Sequence, residues 1–165
     1  MKNLYIDFDG VILDTITPVY NLAKKLNIDV KTQTKEVGLL FSKIDWGTLI
    51  EESVELSNSI NSIKKLKDSK KFNISILTHI GSLKEAEAKI KFINSIFDDL
   101  TIIPVPKSCS KAMMTQTKDA ILVDDYSGNL KEWESSGGIG VKFSKEKEES
   151  DFVSITALDE LIDIF

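Results

Sequence analysis

Short apolar runs and amphipathic stretches take turns along this chain. Leu4, Tyr5 and Ile6 open it and give way to acids and Gly10, so Lys2–Phe8 reads as a short strand. Asn73–Leu77, Thr101–Val105, Ala120–Val123 and Ile139–Phe143 read the same way. Pro104 and Pro106 stop the third run, Asp124 ends the fourth, and Gly137-Gly138 turns the chain into the fifth. These runs are rich in Ile, Val and Leu and do not alternate, as in strands covered on both faces of a parallel sheet. Between them, apolar positions recur at helical spacing. Leu83, Ala86, Ile90, Ile93 and Phe97 form one stripe, with Ser82 and Glu85 placed as a capping box. Leu130 and Trp133 mark a shorter helix, and Thr156 is placed to cap a last one carrying Leu158, Leu161 and Ile162. The alternation predicts an α/β fold on an open parallel sheet with right-handed crossovers.

Residues 15–71 break the alternation. They show helical patterns, Leu56, Ile60, Ile63 and Leu66 among them, and no convincing strand. They are expected to form a small helical cap inserted after the first strand, splitting the α/β core into residues 1–14 and 72–165. The run KEKEESD at 145–151 reads as a solvated connection.

Composition narrows the function. With 42 % hydrophobic and 28 % charged residues in 165, wholesale disorder is excluded. One cysteine, Cys109, excludes an intrachain disulfide and points to a reducing, cytoplasmic setting. No apolar run approaches the ~18 residues of a membrane span, and the N-terminal stretch lacks the apolar core and cleavage region of a secretory signal. A net charge of -5 argues against binding a nucleic-acid polymer. All 21 basic residues are lysines. Any phosphate must therefore be held by Lys, hydroxyls, backbone N–H groups or a metal, without a guanidinium fork.

Open α/β sheets bind ligands at the carboxyl ends of their strands. There the sequence places Asp7-Phe8-Asp9-Gly10, then Thr78-His79, then Lys107 and Lys111, then Asp124-Asp125. Four carboxylates together repel one another and raise their pKa values. A hard cation relieves this, and Mg²⁺ suits such oxygens while keeping room for a phosphate oxygen. Asp7 can reach both a metal and a phosphorus atom. Asp9, two residues on, can face the same side and move a proton. Gly10 lets the chain turn away, Thr78 can donate to a phosphoryl oxygen, and a lysine offsets the charge. Lys107 follows the third strand closely. Lys111 follows Ser110 at the start of a helix, where its amine can turn back into the site, and is the preferred of the two.

DFDGVILDT at 7–15, ILTHIGS at 76–82 and a lysine ahead of ILVDDYSGNL at 121–130 resemble the four motifs of the haloacid-dehalogenase-like hydrolases. Most of these are Mg²⁺-dependent phosphatases acting through an aspartyl-phosphate. ILVDDYSGNLKEWESSGGIGVKF, with a helical insertion after the first motif, is similar to the 5'(3')-deoxyribonucleotidase branch. The resemblance implies Asp7 as nucleophile and Asp9 as general acid and base, its carbonyl on Mg²⁺. It implies Thr78, a lysine, Asp9 and Gly10 around the phosphate, and Asp124 and Asp125 serving the metal. The substrate implied is a small phosphorylated molecule, a deoxynucleoside monophosphate first of all. Where the better-known nucleotidases have a basic residue after the paired aspartates, this chain has Tyr126. A phosphatase of another small metabolite is the alternative enzyme. A phosphate-accepting module like a receiver domain is the alternative without turnover, and the second aspartate of D-x-D-G favours turnover over it.

Phe41 and Trp46 lie in the insertion, where they could stack on a nucleobase or form the insertion's own core. His79, the single histidine, is not needed for proton transfer if Asp9 serves. Cys109 reads as a small, partly buried apolar residue, Trp133 as core, and Asp14 as shaping the turn into the insertion.

Overall fold

Six parallel strands form one sheet in the order Thr101–Pro106 (β5), Phe72–Ile80 (β4), Lys2–Ile6 (β1), Ile121–Asp124 (β6), Ile139–Phe143 (β7) and Val153–Ile155 (β8), and the motif-bearing strands occupy its middle. The computed structural model describes residues 1–147 and 149–165. Strand β1 (Lys2–Ile6) lies between β4 (Phe72–Ile80) and β6 (Ile121–Asp124), with Leu4 opposite Ile74 on one side and Ile121 on the other. β5 (Thr101–Pro106) flanks β4, and β7 (Ile139–Phe143) and β8 (Val153–Ile155) extend the other side. β5 carries Pro104 and Pro106 because it is an edge strand, where a missing N–H costs no ladder bond.

Both faces of the sheet are covered, as the unbroken apolar runs require. Leu4, Ile6, Ile76, Ile121, Val123 and Val141 share one cluster with Ile63, Leu66 and Ile93. The opposite face carries Leu77, Val105 and Leu122 against Leu130 and Trp133 of α6 (Ser127–Ser135). Trp133 is fully buried, stacks edge-on with Tyr5, and donates its indole N–H to the Ala120 carbonyl at 3.0 Å.

Several elements differ from the sequence reading. β4 runs to Ile80, so Thr78 lies inside the strand's last turns of the ladder, paired with Pro104, instead of after it. β8 was not legible, being three residues long. The stripe expected from Leu83 begins at Ala86: Leu83 is exposed, and α5 (Leu83–Asn94) buries Glu85, Ala86, Lys89 and Ile93. Only half of the capping box forms. Ser82 Oγ accepts from the Glu85 N–H, while the Glu85 carboxylate takes the Gly81 N–H and a lysine. The last helix is a 3-10 turn, Leu158–Glu160, running into α7 (Leu161–Ile164), and Glu160 reaches back to accept from Thr156.

The segment 15–71 divides in two. α1 (Ile16–Lys25), α2 (Thr34–Lys43) and α3 (Trp46–Glu52) build a small core of their own from Val19, Ala23, Leu40, Ile44, Trp46 and Leu49. Beyond them, Leu56, Ile63 and Leu66 pack into the main core, so α4 (Ser59–Asp68) belongs to the α/β layer and not to the insertion. The segment also contains a strand where none was expected. Val54–Glu55 (β3) pairs antiparallel with Leu13–Asp14 (β2), closing the insertion at its base. Of the connection at 145–151, the described residues are exposed, and Glu148 lies outside the described residues. Among the described residues no helix is long and apolar enough to cross a membrane.

Candidate active site

The chain leaves β1 into a tight loop that aims two aspartates at the carboxyl end of the sheet. Gly10 closes this loop at φ +75, and its N–H bonds the Leu13 carbonyl at 2.8 Å. A side chain there is excluded twice over. The backbone is left-handed, and a Cβ would come within 2.2 Å of Asp125 Oδ2. The glycine of D-x-D-G thus makes room for an aspartate from β6, and the residue expected at the phosphate sits against Asp125.

Asp7 is buried, and its Oδ1 accepts from the Phe8 N–H at 2.8 Å and from Lys111 Nζ at 2.9 Å. Lys111 enters on a 3-10 turn, Lys111–Met113, that Ser110 caps through the Ala112 N–H. Its ammonium bridges Asp7 to Asp124 Oδ2 at 2.6 Å and is almost wholly buried. Lys107, the competing lysine, is exposed and points elsewhere, its Nζ 4.5 Å from the centre of the Phe41 ring. Asp124 is fully buried and fully engaged. Besides Lys111 it accepts from Asn129 Nδ2 at 2.9 Å and from the Tyr126 N–H at 2.9 Å. Tyr126 therefore contributes its backbone here, while its ring is exposed.

Oxygens of Asp7, Asp124 and Asp125 lie within 4.8 Å of one another. Burial pushes the Asp7 carboxyl up from 3.8 to about 8, Lys111 opposing and Asp124 and Asp9 adding to it. Burial and then Asp124 push Asp125 up to about 6. Burial pulls the Lys111 ammonium down, but Asp7 and Asp124 outweigh it and hold it above its ordinary value. Three crowded carboxylates with one ammonium are short of positive charge. A hard divalent cation on oxygen ligands fits that donor set.

Asp9 takes different partners. Its Oδ1 accepts from the Thr15 hydroxyl at 2.7 Å, and its Oδ2 from Lys89 Nζ at 2.5 Å, with Thr78 Oγ1 at 3.4 Å. Thr15, at the start of α1, gives its hydroxyl to Asp9 and leaves the helix end to Asp14, which accepts from the Thr17 N–H at 3.0 Å. Asp14 thus shapes the entry to the insertion, and Lys145 holds it from outside at 2.6 Å. Sequence reasoning missed Lys89, Glu85, Thr15 and Asn129. Lys89 carried a signal: Ala86, Lys89 and Ile93 fall at spacings of three and four, on the face the helix buries.

Between insertion and sheet lies a cavity of about 300 Å³. Asp9 and Thr15 form one end; Val19, Tyr20, Phe41 and Trp46 wall it from the insertion, and His79 and Lys107 from the core. Trp46 is buried, with Phe41 6.1 Å away between ring centres, and its indole N–H has no partner among the described residues. His79 lines this cavity with Nε2 3.0 Å from the Cys109 carbonyl, and burial first of all lowers its pKa. Cys109 is half-buried.

No protein-family model and no curated protein matches the sequence. Solved structures do match in shape. A HAD-superfamily hydrolase of subfamily IA from Geobacter sulfurreducens superposes with a TM-score of 0.68 at 14% identity, each chain covered 100%. A HAD phosphatase from Thermococcus onnurineus gives 0.65 at 18% identity, over 99% of this chain and 97% of that one. The HAD-hydrolase YfnB of Bacillus subtilis, solved bound to magnesium, gives 0.63 at 14% identity with the same coverage. This is the fold of the haloacid-dehalogenase-like hydrolases. At these identities the likeness is one of fold, and the chemistry of the HAD-fold chain has to be argued from its own side chains.

Proposed function

We propose that the protein is a Mg²⁺-dependent phosphomonoesterase that works through an aspartyl-phosphate on Asp7. The observation that carries this reading is the meeting of Asp7, Asp124 and Asp125 within 4.8 Å, beside Lys111 and within one loop of Asp9. Asp7, Asp125 and the Asp9 carbonyl would hold the ion; Asp124, engaged by three protein donors, would hold Lys111 and the loop in place. When bound, Mg²⁺ supplies the positive charge that keeps Asp7 ionised and neutralises phosphoryl oxygens.

The chain's own groups account for the rest. The Asp7 carboxylate attacks phosphorus, and the ester P–O bond breaks as Asp9, ionised in its pair with Lys89, takes up the proton of a phosphate monoanion and passes it to the leaving oxygen. Asp9, ionised again, takes a proton from water; that water attacks the phosphorus and the Asp7 O–P bond breaks, releasing phosphate. Lys111 and the Thr78 hydroxyl stabilise charge on the phosphoryl oxygens.

For the substrate, we infer a nucleoside monophosphate, in line with a deoxyribonucleotidase. The aromatic wall of Phe41 and Trp46 around a cavity of about 300 Å³ that begins at Asp9 supports it. A second reading, a smaller phosphorylated metabolite, is favoured by the deep burial of Trp46 and by Lys107 lying over the Phe41 ring, which leave less free aromatic face. Phosphate release from a panel of nucleotides and base-free phosphates, with Mg²⁺ and with excess chelator, tests both. Full activity in chelator overturns the metal assignment, and no preference for nucleotides overturns the nucleotidase reading. In a nucleotidase, Phe41→Ala should lower kcat/KM for a nucleotide by about 5- to 100-fold, the scale of a base stack, and spare a base-free phosphate.

A further inference from the structure

Asp9 carries the proton in this reaction, and both its carboxylate oxygens are held. Thr15 takes Oδ1 at 2.7 Å. Oδ2 belongs to Lys89, a side chain from the middle of α5 with no solvent exposure at all. The Lys89 ammonium has four acceptors: Asp9 Oδ2 at 2.5 Å, Glu85 Oε1 at 2.8 Å, the His79 carbonyl at 3.0 Å and Thr78 Oγ1 at 3.1 Å. Two rings lie near it: Phe8 of the core at 5.4 Å and Trp46 of the insertion at 5.6 Å from ring centre to nitrogen. Glu85 in turn is fixed by the Gly81 N–H at 2.7 Å.

Burying an ammonium is expensive unless its hydrogen bonds are all met. A helix seeking only stability would place an apolar residue here, next to Ala86 and Ile93. The ammonium sits instead where three things meet: the Asp9 carboxylate, the buried Thr78 hydroxyl and the indole of the insertion. Lys111 cannot substitute, because Asp7 and Asp124 occupy it.

We propose that Lys89 is a positioning residue for proton transfer: with Thr15 it fixes the Asp9 carboxylate in one orientation toward the leaving oxygen, and Trp46 of the insertion keeps that contact dry. The proposal rests on the phosphatase reading above. Lys89 keeps its protons throughout. The proton that reaches the leaving group is brought by the phosphate monoanion and passes through Asp9, and the one Asp9 later takes comes from water. An aspartate free to rotate would deliver its proton late, and proton delivery matters only where the leaving oxygen needs it.

Leaving-group dependence separates this role from a structural one. The full chain with Mg²⁺ is assayed on p-nitrophenyl phosphate, whose acidic phenol leaves without a proton, and on phenyl phosphate, whose phenol is far less acidic. kcat/KM reads the step that breaks the ester. Lys89→Met should lose ~10²-fold on phenyl phosphate and less than ~10-fold on p-nitrophenyl phosphate. In an Asp9→Asn background the same substitution should cost no more than ~2-fold on either ester, because the group it serves is gone. Should Lys89→Met fail to fold, Glu85→Gln/Lys89→Met removes the buried acid together with the ammonium and should show the same split. Equal losses on the two esters, or a loss that adds in full to that of Asp9→Asn, overturn the proposal. A wild type that hydrolyses neither ester overturns the phosphatase reading itself.

Discussion

Two buried lysines flank the D-x-D-G loop, one for each aspartate, and they are built differently. Lys111 joins Asp7 to Asp124 from a 3-10 turn that leaves β5. Lys89 joins Asp9 to Glu85 from the middle of a helix. Each ammonium lies between two carboxylates, and each is held above its ordinary pKa once those carboxylates outweigh the effect of burial. In the proposed reaction Lys111 serves the phosphorus side, where charge develops on oxygens whatever the leaving group. In that reaction Lys89 serves the proton-transfer side, next to Trp46 of the insertion. The motif's two aspartates, two residues apart, are thus held by two separate ion-pair networks.

The proposed nucleophile should give the largest effect on either half. Asp7→Asn leaves both lysines in place but supplies no carboxylate to attack phosphorus. kcat should fall by ~10⁴-fold or more on every ester, with no phosphate bound covalently in a quenched reaction with labelled substrate. Residual turnover near wild type would mean that Asp7 only holds Lys111.

Next comes Lys111→Met. Removing a preorganised charge from the phosphoryl site should cost ~10³-fold, and the cost should be equal for p-nitrophenyl and phenyl phosphate. That equality is the contrast with Lys89. If Lys111→Met also discriminates between the esters, the division of labour between the lysines is wrong.

The phosphorus half should also respond to pH without any substrate. Folding raises the Asp7 carboxyl from 3.8 to about 8 and that of Asp125 to about 6. A raised acid favours the folded state while protonated. The stability it contributes is whole below the unfolded value near 4 and is lost as pH rises through 6 and 8. In chelator, Tm should therefore fall by about 5–10 °C between pH 5 and pH 9. Mg²⁺ should recover most of this loss and do more at pH 8 than at pH 5, since it binds the ionised carboxylates. Asp125→Asn should blunt the Mg²⁺ effect. A Tm indifferent to Mg²⁺ at pH 8 would remove the metal from this cluster.

The two halves were unequally legible in the sequence. The sheet could be read because its strands are covered on both faces and so are continuously apolar; β8, β2 and β3, of two or three residues each, leave no such trace. Asp7, Asp9, Thr78, Lys111, Asp124 and Asp125 all sit at or near strand ends, where a parallel sheet is expected to place ligands. Lys89 does not. It is a charged residue within an apolar stripe, and a pattern that counts only apolar positions assigned that face through exposed Leu83. Helical spacing does not say which core a helix packs against, so α4 reads as part of the 15–71 insertion. Ile63 and Leu66 suit either partner, and only the fold brings them under the sheet.

A third lysine tests whether proximity or burial gives these pairs their weight. Lys145 Nζ lies 2.6 Å from Asp14 Oδ2, the same distance as Lys111 from Asp124, and ties the entrance of the insertion to the end of β7. But the Lys145 side chain is 62% exposed, whereas that of Lys111 is 1% exposed. In water the Coulomb gain is small, salt screens it, and holding a long side chain costs entropy. Asp14 also keeps two bonds to Thr17 that need no lysine. Lys145→Ala should therefore change stability by less than about 1 kcal/mol in denaturant unfolding, with that small loss fading further at high salt, and should leave kcat on both esters unchanged. If Lys145→Ala instead lowers kcat on phenyl phosphate as Lys89→Met should, then Asp14 at the entrance of the insertion and not the buried ammonium governs how Asp9 is held. The proton-transfer half would then extend to the protein surface.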